Sequence, residues 1–138
     1  MLRIALLSWD EARAHAAPVR VAVFVDEQGV PREIELDEMD PRCVHVVAFD
    51  GERPVATGRL LPDGRIGRMA VLKQWRGRGI GSFLLKYLVQ KARERGNNKV
   101  SLSAQVHAVR FYKAHGFEKE GGEYLEAGIR HQAMRLRL

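Results

Sequence analysis

Apolar positions recur along this chain with two different periods. "LRIALL" at 2–7 is an apolar run of strand length. Ser8 stands three residues before Glu11, the pattern of a capping box, so a helix is expected to open there. Pro18 is expected to interrupt it, with a second short helix through "VRVAVFV". Residues 27–41 read as a loop, broken at Gly29, Pro31 and Pro41. "CVHVVAF", "PVATGRLL" and "RIGRMAV" are strand-like and are separated by "DGER" and "PDG", which predicts an antiparallel meander with a bulge at Gly58. Over 79–95, Ile80, Phe83, Leu84, Tyr87, Leu88 and Ala92 recur at helical spacing, and Gly96 stands as a stop. "NNKVSLSA" follows as a turn and short strand. "VHAVRFYKAHGF" reads as a short helix closed by Gly116, with Phe117 folding back beyond it. Two last strands, about 117–124 and 129–137, flank "EAG". The predicted order is βααβββαβαββ, a mixed α/β fold.

Composition narrows the class without naming it. A chain of 138 residues, 46% hydrophobic and 29% charged, fits one domain spanning 1–138 around one core. No apolar run is long enough to span a bilayer, so no membrane partner is expected. The first residues lack a basic leader and a small-residue cleavage site, and Cys43 has no second cysteine to pair with. The default expectation is therefore a cytoplasmic protein. The five histidines are scattered. His45 and His107 read as packing or surface residues, His15 and His115 as solvated ones, and no metal site is expected.

Charge is unevenly placed. Residues 65–99 hold ten Lys and Arg against one acid, Glu94, whereas 26–40 hold seven acids against Arg32. One half should draw anions and the other cations. Two solvated faces would give the same pattern. A general nucleic-acid binder fits poorly, because the basic run has no interleaved aromatic platform and the acidic block would repel a phosphate backbone.

The densest chemical signal is "QWRGRGIGSFL" at 74–84, a glycine-rich turn between a strand and a helix. The first amides of a helix lack intrahelical partners and sit at its positive end, and glycines admit a phosphate close to the backbone. A tight turn needing positive φ is the plainer reading, but three glycines in five residues favour an anion site over 77–82. A P-loop requires a Gly-Lys pair, and this chain has none. A dinucleotide fingerprint requires a third glycine where Ser82 stands, and an acid after the next strand, which "KVSLSA" lacks.

What fits is Arg76-Gly77-Arg78-Gly79-Ile80-Gly81, which resembles the [QR]-x-x-G-x-[GA] motif of the GNAT superfamily of acyl-CoA-dependent N-acetyltransferases. "AQVHAVRFYKAHGF" resembles a second motif of that family, matched at Ala108, Tyr112, Gly116 and Phe117, with Gln105 where the family often has Asn. "VFVDEQGVPREIELDEMDP" and "EYLEAGIRHQAMRL" resemble the small bacterial ElaA-like branch. A fainter likeness joins the first of these to acyl-homoserine-lactone synthases, which are longer and lack the glycine loop.

The resemblance implies a mostly antiparallel sheet flanked by helices, with acetyl-CoA as co-substrate and no metal. It implies that Met69, Ala70 and Val71 hold the pantetheine and polarise the thioester. Residues 77–82 would hold the pyrophosphate, with Ser82 adding a hydroxyl, Arg76 and Arg78 adding charge, and Gln105 contacting the cofactor. Tyr112 stands where the family has the tyrosine that protonates the leaving thiolate. Glu27, Glu126 and His131 are the candidate general bases, beside a water chain. The acceptor is expected to be a small-molecule amine or a basic peptide, drawn by the acidic segment. A homodimer is compatible with the resemblance. The rival class is a non-catalytic acyl-CoA-binding module on the same fold.

Overall fold

The computed structural model describes residues 2–32 and 37–138. The strands are β1 (Leu2–Leu7), β2 (Val44–Asp50), β3 (Arg53–Leu60), β4 (Arg65–Val71), β5 (Lys99–Gln105), β6 (Glu118–Glu126) and β7 (Ile129–Arg137). The helices are α1 (Trp9–Arg20), α2 (Ile80–Glu94) and α3 (Val109–Ala114). The seven strands form one sheet in the order β1-β2-β3-β4-β5-β7-β6. Every neighbouring pair is antiparallel except β4 with β5, which are parallel. The expected mixed, mostly antiparallel sheet flanked by helices is what the chain adopts, and the expected element order holds except between β1 and β2.

The first helix opens as expected. The Glu11 carboxylate accepts hydrogen bonds from the Ser8 amide (3.4 Å) and hydroxyl (3.1 Å). The break expected at Pro18 does not occur. Pro18 sits inside α1, and the chain runs without interruption into a π-helical segment, Val21–Glu27. Proline removes one intrahelical donor. The wider π turn, frequent at functional sites, follows directly and replaces the separate second helix.

The sheet separates two packed layers. Val46, Ala48, Ile66, Val100, Leu102, Ala104 and Met134 face α2 and α3 in the main core. Val47 and Phe49 face Ala12 and Ala16 of α1, while Ala70 packs on Val19 and Val23. The buried stripe of α2 is Ile80, Leu84, Leu85, Leu88, Val89 and Ala92. Fully burying a leucine contributes about 1.5–3 kcal/mol. Phe83 and Tyr87, expected on this stripe, are exposed instead. Leu85 and Val89 centre the stripe one step round the helix, which turns those two aromatics outward.

Two of the sheet's irregularities lie on β4. β4 and β5 pair only through Arg65↔Ser101 and Ile66↔Leu102, and beyond that point no ladder joins them. The register of β3 against β4 shifts between Thr57 and Arg59, where two steps on β3 face three on β4, from Ala70 to Gly67. That is a bulge, and Gly58 lies opposite it, as expected. A Cβ on Gly58 would stand 2.4 Å from the Met69 sulfur, so glycine makes room for that side chain.

Candidate active site

The splay of β4 from β5 leaves a notch whose β4 arm is residues 67–71 and whose β5 arm ends at Gln105. Among the residues around it, Met69 and Val71 turn their side chains toward the main core, and Ala70 turns the other way. The β5-facing edge of 67–71 has no ladder to a neighbouring strand. Backbone polar groups along such an edge require another partner.

The glycine turn closes one end of the notch. Gly77 and Gly79 adopt φ of +77° and +79°, in the left-handed region that disfavours other residues. A Cβ at either position would meet nothing within 4 Å, so the backbone there is open to approach. Gly79 caps α2 without a side-chain hydrogen bond. The amides of Ile80, Gly81 and Ser82 are thus left at the positive end of a 15-residue helix, a donor set that suits a pyrophosphate. Gly81 is small for a different reason, since its Cβ would stand 3.5 Å from the Phe111 ring.

The side chains around the turn are already engaged. Arg76 donates to the Val71 carbonyl at 2.9 Å and grips both oxygens of Glu27 at 2.9 and 3.1 Å. Arg78 lies over Trp75, 4.7 Å from the ring centroid. The Ser82 hydroxyl pairs with His115 Nε2 at 2.9 Å. His115 is half-buried against Phe111, not solvated as expected. Burial first and Lys86 second pull its titration below the ordinary histidine value.

The other arm carries a polar floor on the α1 side of the sheet. Gln105 is in register with His131, and His131 with Tyr124, so the three form a row across β5, β7 and β6. Tyr124 stacks on His131 with centroids 6.1 Å apart, and its hydroxyl bonds that of Ser103. His131 is buried, Nδ1 bonding the Ile129 carbonyl at 2.7 Å and Nε2 lying 3.4 Å from the exposed Glu126 carboxylate. Gln105 exchanges hydrogen bonds with Gln28, which follows the π-helical segment. Gln28, Ser103 and Tyr124 were not singled out from the sequence. Only the alternation of "VSLSAQ" hinted at Ser103.

Tyr112 is buried in the main core between Phe111 and Phe117, with ring centroids 5.0 and 5.9 Å away. Burial pushes its phenol up to about 12. Of the two adjacent aromatics, Tyr112 is thus the more deeply packed, and Phe111 is half-buried.

The acidic segment differs most from expectation. Asp37 accepts both guanidinium nitrogens of Arg59 (2.8 and 3.0 Å) and one of Arg68 (3.2 Å). Asp40, 1% exposed, is held by Arg20 and Arg59 at 2.8 Å each. Glu27 is held by Arg76. These three carboxylates bind the protein's own arginines, and only Asp40 is closed off from solvent. Glu33 and Glu35 lie outside the described residues.

Among the described residues no helix is long and apolar enough to cross a membrane, and no cluster of His, Cys, Asp and Glu has the geometry of a metal site. The family model for an acetyltransferase (GNAT) domain matches residues 12–138. The chain is 42% identical over 129 residues to the Bacillus subtilis protein named "Uncharacterized N-acetyltransferase YjcF", covering 91% of this chain and 92% of that one. Its fold matches an acyl-CoA N-acyltransferase from Pseudomonas aeruginosa with a TM-score of 0.88 at 30% identity, covering 98% of this chain and 99% of that one. It matches Escherichia coli ElaA with the same TM-score and coverage at 26% identity.

Proposed function

Because the chain belongs to the GNAT acetyltransferase family, we propose that it moves an acetyl group from acetyl-CoA to a primary amine by direct attack in a ternary complex. The observation that carries this reading is the splay of β4 from β5 beside a glycine turn whose helix amides have no side-chain cap. In the reaction the amine nitrogen forms a bond to the thioester carbonyl carbon. The carbon–sulfur bond breaks, the new amide nitrogen loses a proton, and the sulfur leaves as a thiolate that takes one up.

Each step has a residue in this reading. The amides of 77–82 hold the pyrophosphate, and the free edge of Met69, Ala70 and Val71 polarises the carbonyl. The amine's proton passes to the exposed Glu126 carboxylate, one oxygen of which lies 3.4 Å from His131 Nε2. Glu27 is the weaker choice of base, because Arg76 occupies both its oxygens. Tyr112 donates to the departing sulfur. A phenol near 12 stays protonated at neutral pH, and full transfer to a thiolate whose acid titrates near ~8.5 is uphill, so donation of a hydrogen bond is its main contribution. The acceptor is a small-molecule amine or a basic peptide terminus. Glu126 and Asp26, both exposed, would attract it in place of the paired Asp37 and Asp40.

Calorimetric titration with coenzyme A, followed by thiol release from acetyl-CoA across a panel of amines, tests the reading. Saturable binding and amine-dependent release are expected. Binding without release by any amine would favour a non-catalytic acyl-CoA-binding module, and absence of binding would overturn both.

A further inference from the structure

We infer that Asp37 and Arg68 are positioning residues for acyl transfer, joined in a latch that holds the β4 bulge in the register the reaction needs; this rests on the function proposed above. Arg68 lies in the bulge and has φ +51°, one of two non-glycine residues with positive φ among those described. That conformation is strained for an L-residue and persists only where its surroundings impose it. The surroundings here are a chain of ion pairs. Arg68 Nη2 donates to Asp37 Oδ2 at 3.2 Å, and Arg59 grips both oxygens of the same carboxylate. Arg59 also donates to Asp40, which Arg20 of α1 holds through both its oxygens.

The anchor is placed to act on the bulge. Arg59 stands on β3 beside Gly58 and is in register with Gly67, the residue before Arg68. The latch therefore connects α1, β3 and the bulge through two buried or half-buried carboxylates. Immediately after Arg68 come Met69, Ala70 and Val71. A strand that relaxes by one residue turns each side chain to the opposite face and reverses which edge each amide serves. Release of Arg68 would let the bulge relax in that way. It would carry Met69 out of the main core and Ala70 out of its contact with Val19 and Val23. The glycine turn at 77–82 lies outside the latch, so the grip on coenzyme A should survive while the thioester loses its partner.

Three variants test this: Arg68→Ala, Arg68→Lys and Asp37→Asn. In the protein without ligand, the cross-strand nuclear Overhauser contacts between Thr57 and Ala70 are expected to be lost in Arg68→Ala and retained in Arg68→Lys. With acetyl-CoA and an active amine, kcat is expected to fall tenfold or more in Arg68→Ala and Asp37→Asn. The Kd for coenzyme A should stay within threefold of wild type, and Arg68→Lys should recover most of kcat. Retention of the Thr57–Ala70 contacts in folded Arg68→Ala would overturn the latch, as would wild-type kcat. So would a loss that appears in coenzyme A affinity instead. The resonance experiment needs no turnover, so failure of the proposed activity in the wild type is read separately.

Discussion

Gln28 and Gln105 lie 77 positions apart and exchange side-chain hydrogen bonds of 3.2 and 2.7 Å. One residue earlier, Glu27 binds Arg76, which also holds the Val71 carbonyl. Two consecutive residues at the end of the π-helical segment therefore tie down both arms of the notch, Glu27 on the β4 side and Gln28 on the β5 side.

The amide pair should behave as a coupled unit. Gln105→Leu leaves a half-buried Gln28 amide without its partner, and Gln28→Leu does the reverse. Each single change is expected to cost about 1–2 kcal/mol of stability in urea unfolding. The double variant should cost less than the sum of the singles, with a coupling of roughly 1 kcal/mol. Additive losses would mean that the two amides satisfy themselves with water and do not strap the notch.

Gly79→Glu addresses the pyrophosphate site. The residue caps α2 at φ +79°, so any side chain there is strained, and a carboxylate would face the open helix amides. Gly79→Ala is the control, with an expected loss of about 1 kcal/mol of stability from backbone strain. Against that control, Gly79→Glu is expected to weaken coenzyme A binding at least tenfold in calorimetry. Equal affinity in the two variants would move the phosphate elsewhere.

The buried ion pairs predict a defined acid response. Arg59 holds the Asp37 carboxyl at about 2, below its ordinary 3.8. For Asp40, burial opposes ionisation, but Arg20 and Arg59 outweigh it and the net shift is also downward. A carboxylate whose folded value lies below its unfolded one adds stability above the unfolded value and loses it as pH falls through the folded one. For Asp37 the loss should run from about pH 4 to about pH 2. Because the group is partly exposed, its share is on the order of 1 kcal/mol after solvent screening. Urea midpoints measured through that window should fall less steeply for Asp37→Asn than for wild type. Parallel curves would show that Arg59 does not hold the carboxylate ionised.

These observations separate what could be read along the chain from what could not. The glycine turn was legible because its chemistry is local: three glycines, a strand before and a helix after. Gly58 at the bulge and the fold-back of Phe117 were legible for the same reason. Tyr112 was found by its motif, but its burial between Phe111 and Phe117 depends on how α3 settles on the sheet. Ser103 and Tyr124 were missed because their meeting depends on strand register across β5, β7 and β6, and Gln28 because it meets Gln105 from the end of the π-helical segment, 77 positions away; no short window contains either relationship. The acidic segment misled for a physical reason. A run of acids in sequence looks like a solvated surface, yet Asp37 and Asp40 turn inward onto Arg20 and Arg59, whose positions are set by α1 and β3. Pro18 misled because a proline weakens a helix by one donor without obliging it to stop, and α1 runs through it to Arg20.

Tyr112→Phe separates a packing role from a chemical one. The ring is buried among apolar neighbours, so phenylalanine keeps the packing, and thermal unfolding should shift by only a few degrees. If the hydroxyl donates to the departing sulfur, kcat should fall by roughly 10²-fold or more with little change in the Kd for coenzyme A. With the phenol near 12, the wild-type rate should show no Tyr112-dependent decline on the alkaline side until about that pH. The deficit of the variant should therefore be constant from pH 6 to 10. A leaving group that needs no proton tests the same point. With an acyl donor whose thiol is far more acidic than coenzyme A, wild type and Tyr112→Phe should converge. A kcat unchanged with acetyl-CoA would assign Tyr112 to the core alone and leave the thiolate to be protonated by solvent.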